Sequence, residues 1–390
     1  MRHDPDDALE WLETDGLGGF AMGTASGVRT RRYHALLVAA TEPPIGRRVL
    51  VEDLEVVALT MAGRFPLTSR RYPAPEGELL HPGGLPRAFQ PEPWPRWEIA
   101  LPDGTVLVHE LVVRHGSPVV ALRWLRVAGH GPLALEVRPF LGGRGFHALP
   151  EAPEPRFPIH VEANELGWEL PGDTPDVHLR PFAPAWRWAD DPIVHRRALL
   201  TDERARGLDH LQDLASPGVL TLDAGDGEEV GLTLAADRRE TPETLPAFFP
   251  LSESERERRL QLAPRATGGA TARLYRAADA YLVRRGAGRT VIAGYPWFGD
   301  WGRDTFIALR GLALATGRLD VAAEVVRTWA GHVEGGMLPN RFPDDGEDQG
   351  EAEYNSVDAA LWYAVVAGET LDALAGAGAR DPELEGAVAR

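Results

Sequence analysis

Near Glu240 the spacing of apolar residues changes, and that change constrains the fold more than any other feature of the chain. Upstream, short runs alternate or stay apolar over a few residues. Examples are Thr105-Val106-Leu107-Val108-His109-Glu110-Leu111-Val112-Val113 and Leu133-Ala134-Leu135-Glu136-Val137. Downstream, apolar residues recur three or four apart, as in Ala322, Val325, Val326, Trp329, Ala330 and Val333. A period of two puts alternate side chains on opposite faces of a strand, and a period of 3.6 puts them on one stripe of a helix. One packing unit cannot satisfy both patterns, and 390 residues are enough for two cores.

The β-like text runs from about residue 48 to 235, bounded by Gly, Pro and Asp, with no helical pattern between its strands. That spacing predicts an antiparallel sandwich rather than a parallel sheet. Asp103-Gly104 and Gly129-His130-Gly131 read as hairpin turns. Pro242, Pro246 and Pro250 around Phe248-Phe249 mark a linker. The expected organisation is a β-sandwich over 1–240, a linker over 241–268 and helices over 269–390. The helical stretches are Thr271–Arg285, Thr305–Thr316, Asp320–Val333 and Ser356–Leu374. Gly317 is placed to cap one helix before the next begins, which makes that pair an antiparallel hairpin. Helical hairpins with long loops at one end suggest an α/α toroid, of which this chain carries four or five helices.

Two absences narrow the chemistry. There is no Cys, and all 41 basic residues are Arg. Thiol nucleophiles, Cys-zinc sites, Schiff-base lysines and P-loops are therefore excluded. A formal charge of -17 argues against nucleic acid or anionic lipid as a partner. With no long apolar run and an acidic N-terminus lacking an apolar core, the expectation is a cytoplasmic protein without membrane association.

The densest chemical stretch is Gly294-Tyr295-Pro296-Trp297-Phe298-Gly299-Asp300-Trp301-Gly302-Arg303-Asp304. It predicts an irregular aromatic loop running into a helix N-terminus. Apolar sugar faces stack on indoles, and sugar hydroxyls bond carboxylates and guanidinium groups. The same residues also suit a Trp-rich core corner closed by an Arg–Asp pair. If the helix starts early, Asp300 and Asp304 share one face, with Arg303 placed to fix one of them. Asn340 lies in the following loop, and Asn355 and Asp358 at the next helix start. In a toroid such junctions converge on one end. Trp297, Asp300, Trp301, Arg303, Asp304, Asn340, Asn355 and Asp358 are the candidate substrate-binding set, and Asp304 is the best carboxylate in the chain for catalysis. Paired carboxylates among aromatics serve glycoside hydrolysis, one as acid and one as base.

Other sites are weaker. No G-x-S-x-G occurs, and the glycines of Gly16-Leu17-Gly18-Gly19 do not join a strand to an amphipathic helix as a dinucleotide fingerprint requires. His109-Glu110 with His115 misses the zinc-protease spacing, and the acidic run Asp344–Glu351 misses the calcium-loop spacing. No metal or cofactor is expected. Arg29, Arg31, Arg32, Tyr33 and His34 either bind an anion or staple the β-domain to its neighbour.

Ala293–Phe298 with Trp301-Gly302-Arg303-Asp304-Thr305-Phe306-Ile307-Ala308-Leu309-Arg310-Gly311 resembles the signature of glycogen debranching enzymes of the amylo-α-1,6-glucosidase type. Leu338–Phe342 and Tyr354–Trp362 resemble that family's next two blocks. Trp11–Phe20, Thr30–Ala39 and Glu203–Asp209 are similar to the N-terminal domain of its bacterial and archaeal members. The resemblance implies a β-sandwich followed by an (α/α)6 catalytic domain. It also implies inverting, cofactor-free hydrolysis of α-1,6-linked glucose on a branched α-glucan such as glycogen or limit dextrin. It places the general acid and base in later blocks, beyond residue 390, so the chain is expected to be C-terminally incomplete. A non-catalytic glycan-binding or interaction protein, or a glucoamylase-like or trehalase-like toroid enzyme, remains open. A part-built toroid would also leave apolar helix faces uncovered, on the Trp329 stripe and the Trp362 face.

Overall fold

The computed structural model describes residues 5–82, 84–85, 87–149, 154–162, 164–225, 227, 229–236, 245–263, 269–341, 354, 356 and 358–389. The chain forms two compact units. The first is Met1–Asp15, Phe20–Ala39 and Arg48–Arg256, and the second is Gly16–Gly19, Ala40–Arg47 and Glu257–Arg390.

The first unit is built on two eight-stranded sheets. One runs in the order Glu10–Thr14, Phe20–Thr24, Ala35–Glu42, Ile45–Thr60, Leu133–Gly145, Leu211–Gly225, Ala185–Leu199, with Gly63–Pro66 also paired to Ile45–Thr60. The other runs Ile159–Glu162, Glu165–Trp168, Val177–Phe182, Glu229–Ala236, Val119–Ala128, Val106–Val113, Arg96–Ala100, Arg87–Gln90. Leu50, Leu135 and Leu220 of the first sheet share one buried cluster with Leu107, Leu122 and Leu232 of the second, so the unit is a sandwich. Burying each such side chain stabilises the fold by roughly 1.5–3 kcal/mol. The expected antiparallel pairing is observed along both sheets.

Gly129-His130-Gly131 is a correction. Val119–Ala128 pairs within the second sheet and Leu133–Gly145 within the first, so these residues turn the chain from one sheet to the other. Both glycines are left-handed, at φ 93° and 86°. Arg126 binds the carbonyls of Gly131 and Gly227 and ties the corner down.

The arginine-rich block staples the sandwich internally. Arg31 bonds Glu10 at 2.7 Å, and the buried His34 bonds the same carboxylate at 2.8 Å. Thr30 donates to Asp202 at 2.9 Å, and the Arg32 guanidinium lies 3.5 Å from the buried Glu203. Arg29 and Arg144 converge on the buried Glu52 at 3.0 and 2.6 Å. These cations are matched by carboxylates of the same unit, so the group ties the sandwich together from within.

His109 lies in register with Trp97 on one side and Trp124 on the other. The imidazole is stacked between the two indoles, 5.1 and 4.7 Å from their centroids. Glu110 accepts from Trp94 and Arg123.

Among the described residues the α-helices number eight. In the first unit α1 is Pro5–Ala8 and α2 is Thr201–Ala205. Helix α3, Phe248–Gln261, lies in the stretch read as linker, and its buried Phe248 and Leu251 cluster with Trp94, Val112 and Val119. In the second unit α4 is Gly269–Ala280, α5 Gly302–Leu309, α6 Leu319–Ala330, α7 Asp358–Gly376 and α8 Pro382–Val388. The helix expected to reach Arg285 stops at Ala280. Leu282–Arg285 instead pairs with Gly288–Val291 as a hairpin, because β-branched Val283, Thr290 and Val291 flank a two-residue Gly286-Ala287 turn.

Helix α5 continues through a π-helical turn, Arg310–Leu314. Gly317 then takes φ 74°, with Arg318 N–H bonding Ala313 O at 2.9 Å and Gly317 N–H bonding Leu314 O at 3.1 Å. That is the Schellman stop expected of this glycine, and α6 follows at once. Trp329 of α6 is fully buried against Phe306 and donates to Thr290, so the stripe is covered at its centre, contrary to the expectation, while Val333 just past the helix stays exposed. Other exposed apolar residues include Leu361 and Val365 on α7, next to the partly buried Trp362, Leu274 on α4 and Ile307 on α5. No described helix is long and apolar enough to cross a membrane.

Candidate functional site

The hairpin Leu282–Arg285 and Gly288–Val291 delivers the chain into the aromatic loop. Ala293 N–H bonds Gly299 O and Phe298 N–H bonds Gly294 O, both at 2.8 Å, so the loop closes on itself. The buried Arg47 donates to Pro296 O at 3.4 Å. Trp301 is the extended residue before α5, and its carbonyl takes the Thr305 N–H at 2.8 Å. The buried Thr305 hydroxyl reaches back to Val291 O at 3.3 Å and ties α5 to the hairpin.

Residue 300 and residue 304 point to different surroundings. Asp300 is 0% exposed and accepts from Arg285 Nη1 at 2.7 Å. It precedes the helix, which starts only at Gly302, so the shared face expected for Asp300 and Asp304 does not form. Asp300 is thus the buried Arg–Asp corner that the sequence also allowed, with Arg285 rather than Arg303 as partner. Asp304 sits in the first turn of α5, partly exposed, and makes no ion pair among the described residues. Helix N-termini favour negative charge, which suits an ionised carboxylate there.

Around Trp301 the structure gathers several of the expected residues. Trp301 forms an isolated β-bridge with Arg341, whose guanidinium stands 5.7 Å from the indole centroid. Phe298, 48% exposed, meets Trp301 edge-to-face at 6.1 Å. Gly302 N–H bonds Asn340 O at 2.9 Å. The Asn340 side chain is buried, and its Oδ1 has no hydrogen-bond partner among the described residues. Arg303 lies 3.5 Å from Asp358 at the start of α7, and Ser356 donates to the same carboxylate. Those two hydrogen bonds, Ser356 first, hold the Asp358 carboxyl below the usual carboxylate range. An ionised Asp358 can accept from a hydroxyl or a water, but it has no proton to give a leaving oxygen. Trp297 is partly buried in the loop. Asn355 lies outside the described residues, as does the acidic run 344–351.

Gly302 explains how these pieces come so close. A Cβ there would meet Pro339 O at 2.6 Å, Trp329 at 3.4 Å and Ala359 at 3.5 Å. Only glycine lets α5 start against the Asn340 segment and α7. Sequence reasoning missed Phe298, Arg341 and Arg285 as participants. Phe298 and Arg341 stood inside the quoted motifs, but Arg285 is fifteen residues from its partner, in a stretch read as helix.

The helical unit thus displays Trp, Phe, Arg and carboxylates together at a helix start, the kinds of side chain that stack on and hydrogen-bond sugars. Comparison with known families agrees. Residues 9–231 match the family model described as glycogen debranching enzyme N terminal, and residues 276–373 match the one described as amylo-alpha-1,6-glucosidase. The chain belongs to the glycogen debranching enzyme family. It is also similar to the glycogen debranching enzyme of Saccharomyces cerevisiae, 39% identical over 79 residues. That match covers 19% of this chain and 5% of the yeast protein.

Proposed function

We propose that this chain is part of a glycosidase that hydrolyses α-1,6-glucosidic branch points of glycogen or a related α-glucan. The observation that carries the reading is the Trp301 cluster: it lies inside the segment matching the amylo-alpha-1,6-glucosidase model and joins aromatic faces to ionisable groups. In this reading Trp297 and Trp301 stack on the apolar face of glucose. Arg303, Asp304, Asn340, Asn355 and Asp358 bond its hydroxyls. Asp300 holds the loop from behind through Arg285.

The helices from 269 onward are read as the first part of an (α/α)6 toroid, with 1–240 as the sandwich domain and 241–268 as the linker. The mechanism is inverting: one carboxylic acid protonates the leaving oxygen while a carboxylate activates water on the opposite face. Asp358, held ionised, suits acceptance of a hydrogen bond from a glucose hydroxyl. No cofactor enters, the partner is the branched glucan, and the setting is cytoplasmic.

The test is glucose release from branched limit dextrin, with binding measured in parallel. Release that falls at least tenfold in Trp301→Ala, and is seen on α-1,6 linkages, supports the reading. Binding without release assigns the 390-residue chain to glucan binding alone. Cleavage confined to α-1,4 chains or to trehalose overturns the debranching assignment.

A further inference from the structure

A second groove lies in the helical unit, apart from the Trp301 cluster. It has a volume of about 500 Å3, within the range of about 300–1,000 Å3 typical of small-molecule sites. Arg284 and Arg285 line it from the hairpin, Glu42 and the apolar Pro43 and Ile45 from the 40–47 segment, and Thr328 and His332 from the end of α6 and just beyond. All belong to the second unit.

The polar inventory is mixed and nearly neutral. Arg284 is exposed and makes no ion pair among the described residues. Arg285 is already paired with the buried Asp300 behind the lining, and the lining itself adds one cation, Arg284, and one carboxylate, Glu42, so the charges nearly balance. Burial, reinforced by the charge of Arg285, holds His332 below its ordinary value, so near neutral pH the ring carries one donor and one acceptor. Thr328 donates to Glu324 O at 2.9 Å and keeps its lone pairs for an incoming donor. A phosphate would need an excess of positive charge that this groove lacks. A hydrophobic ligand would strand its polar groups. A neutral polyhydroxylated ligand needs donors, acceptors and one apolar wall, and all three are present.

We infer that this groove is an auxiliary binding site for a neutral oligosaccharide, a second purchase on the glucan chain away from the Trp301 cluster. The inference rests on the glucan reading given above. It also links the two places: Arg285 lines the groove and holds Asp300, the residue before Trp301.

The experiment titrates maltotriose into the 390-residue chain and follows the His332 ring by NMR alongside tryptophan fluorescence. Maltotriose shifts the His332 resonances in the wild type and equally in Trp301→Ala. Arg284→Ala removes a side chain with no ion pair to lose, so folding is spared, and it weakens the His332 response about tenfold through one charged hydrogen bond. Glu42→Gln weakens it less. A His332 ring that stays still while fluorescence reports maltotriose binding overturns the groove and leaves the glucan reading intact. So does a ring that responds to inorganic phosphate and not to maltotriose. Absence of glucan binding in every chain overturns the glucan reading, and the groove with it.

Discussion

Removing the Asp300 carboxylate should destabilise the helical unit strongly, and the size follows from its surroundings. The carboxylate is 0% exposed, and Arg285, 15% exposed, reaches it at 2.7 Å. At an effective dielectric constant near 20 the attraction is about 6 kcal/mol. Much of that is offset by desolvating the two groups. In Asp300→Ala the guanidinium stays largely enclosed without that carboxylate, and the expected loss is about 3–5 kcal/mol. Arg285→Met combined with Asp300→Leu removes both charges, so most of the stability should return. Urea unfolding followed by tryptophan fluorescence reads this, since Trp297, Trp301 and Trp329 all belong to this unit. With a slope of about 2 kcal/mol per molar, the transition midpoint should fall by about 1.5–2.5 M in the single variant. A midpoint within about 0.2 M of wild type, or a double variant as weak as the single one, would refute the buried-pair argument.

Three further outcomes are expected. Gly302→Ala puts a Cβ 2.6 Å from Pro339 O and should cost about 1–3 kcal/mol, read as a lowered thermal midpoint; an unchanged midpoint would mean the α5–α7 approach is looser than described. Burial between two indoles pushes His109 down to about 4 from 6.5, partly opposed by its hydrogen bond to Arg123 O. The unfolded chain therefore takes up the proton first, so stability present above pH 6.5 is lost as pH falls toward 4, by up to about 3 kcal/mol. Urea midpoints across that range should slope in the wild type and flatten in His109→Phe, and parallel slopes would remove His109 as the cause. Leu361 and Val365, 64% and 46% exposed and one turn apart on α7, should drive self-association of the 390-residue chain, which Leu361→Glu with Val365→Glu should relieve in light scattering; a monodisperse wild-type monomer would contradict this.

Local chemistry made much of the molecule legible. Strand periodicity located the sandwich, because alternation needs no knowledge of the partner strand. Gly317 announced its helix stop because a Schellman cap is satisfied within six residues. The aromatic loop and its helix start were readable from Gly, Pro and the apolar stripe that follows. What the sequence could not show depends on partners far along the chain. Gly129 and Gly131 look like a hairpin in either case, and only the pairing of Leu133–Gly145 with Ile45–Thr60 and Leu211–Gly225 makes them a crossing between sheets. The charged edge strand Ala185–Leu199 hides its period because much of it faces solvent. The arginine block chose stapling over anion binding because Asp202 and Glu203, some 170 residues away, come to meet it. The same holds for Trp297 to Asp304. Sequence alone marked the stretch as rich in chemistry but left Asp300 and Asp304 as one pair. The hairpin that carries Arg285 turned Asp300 inward, because a buried carboxylate must find a cation. Asp304, at the start of a helix, was left facing outward.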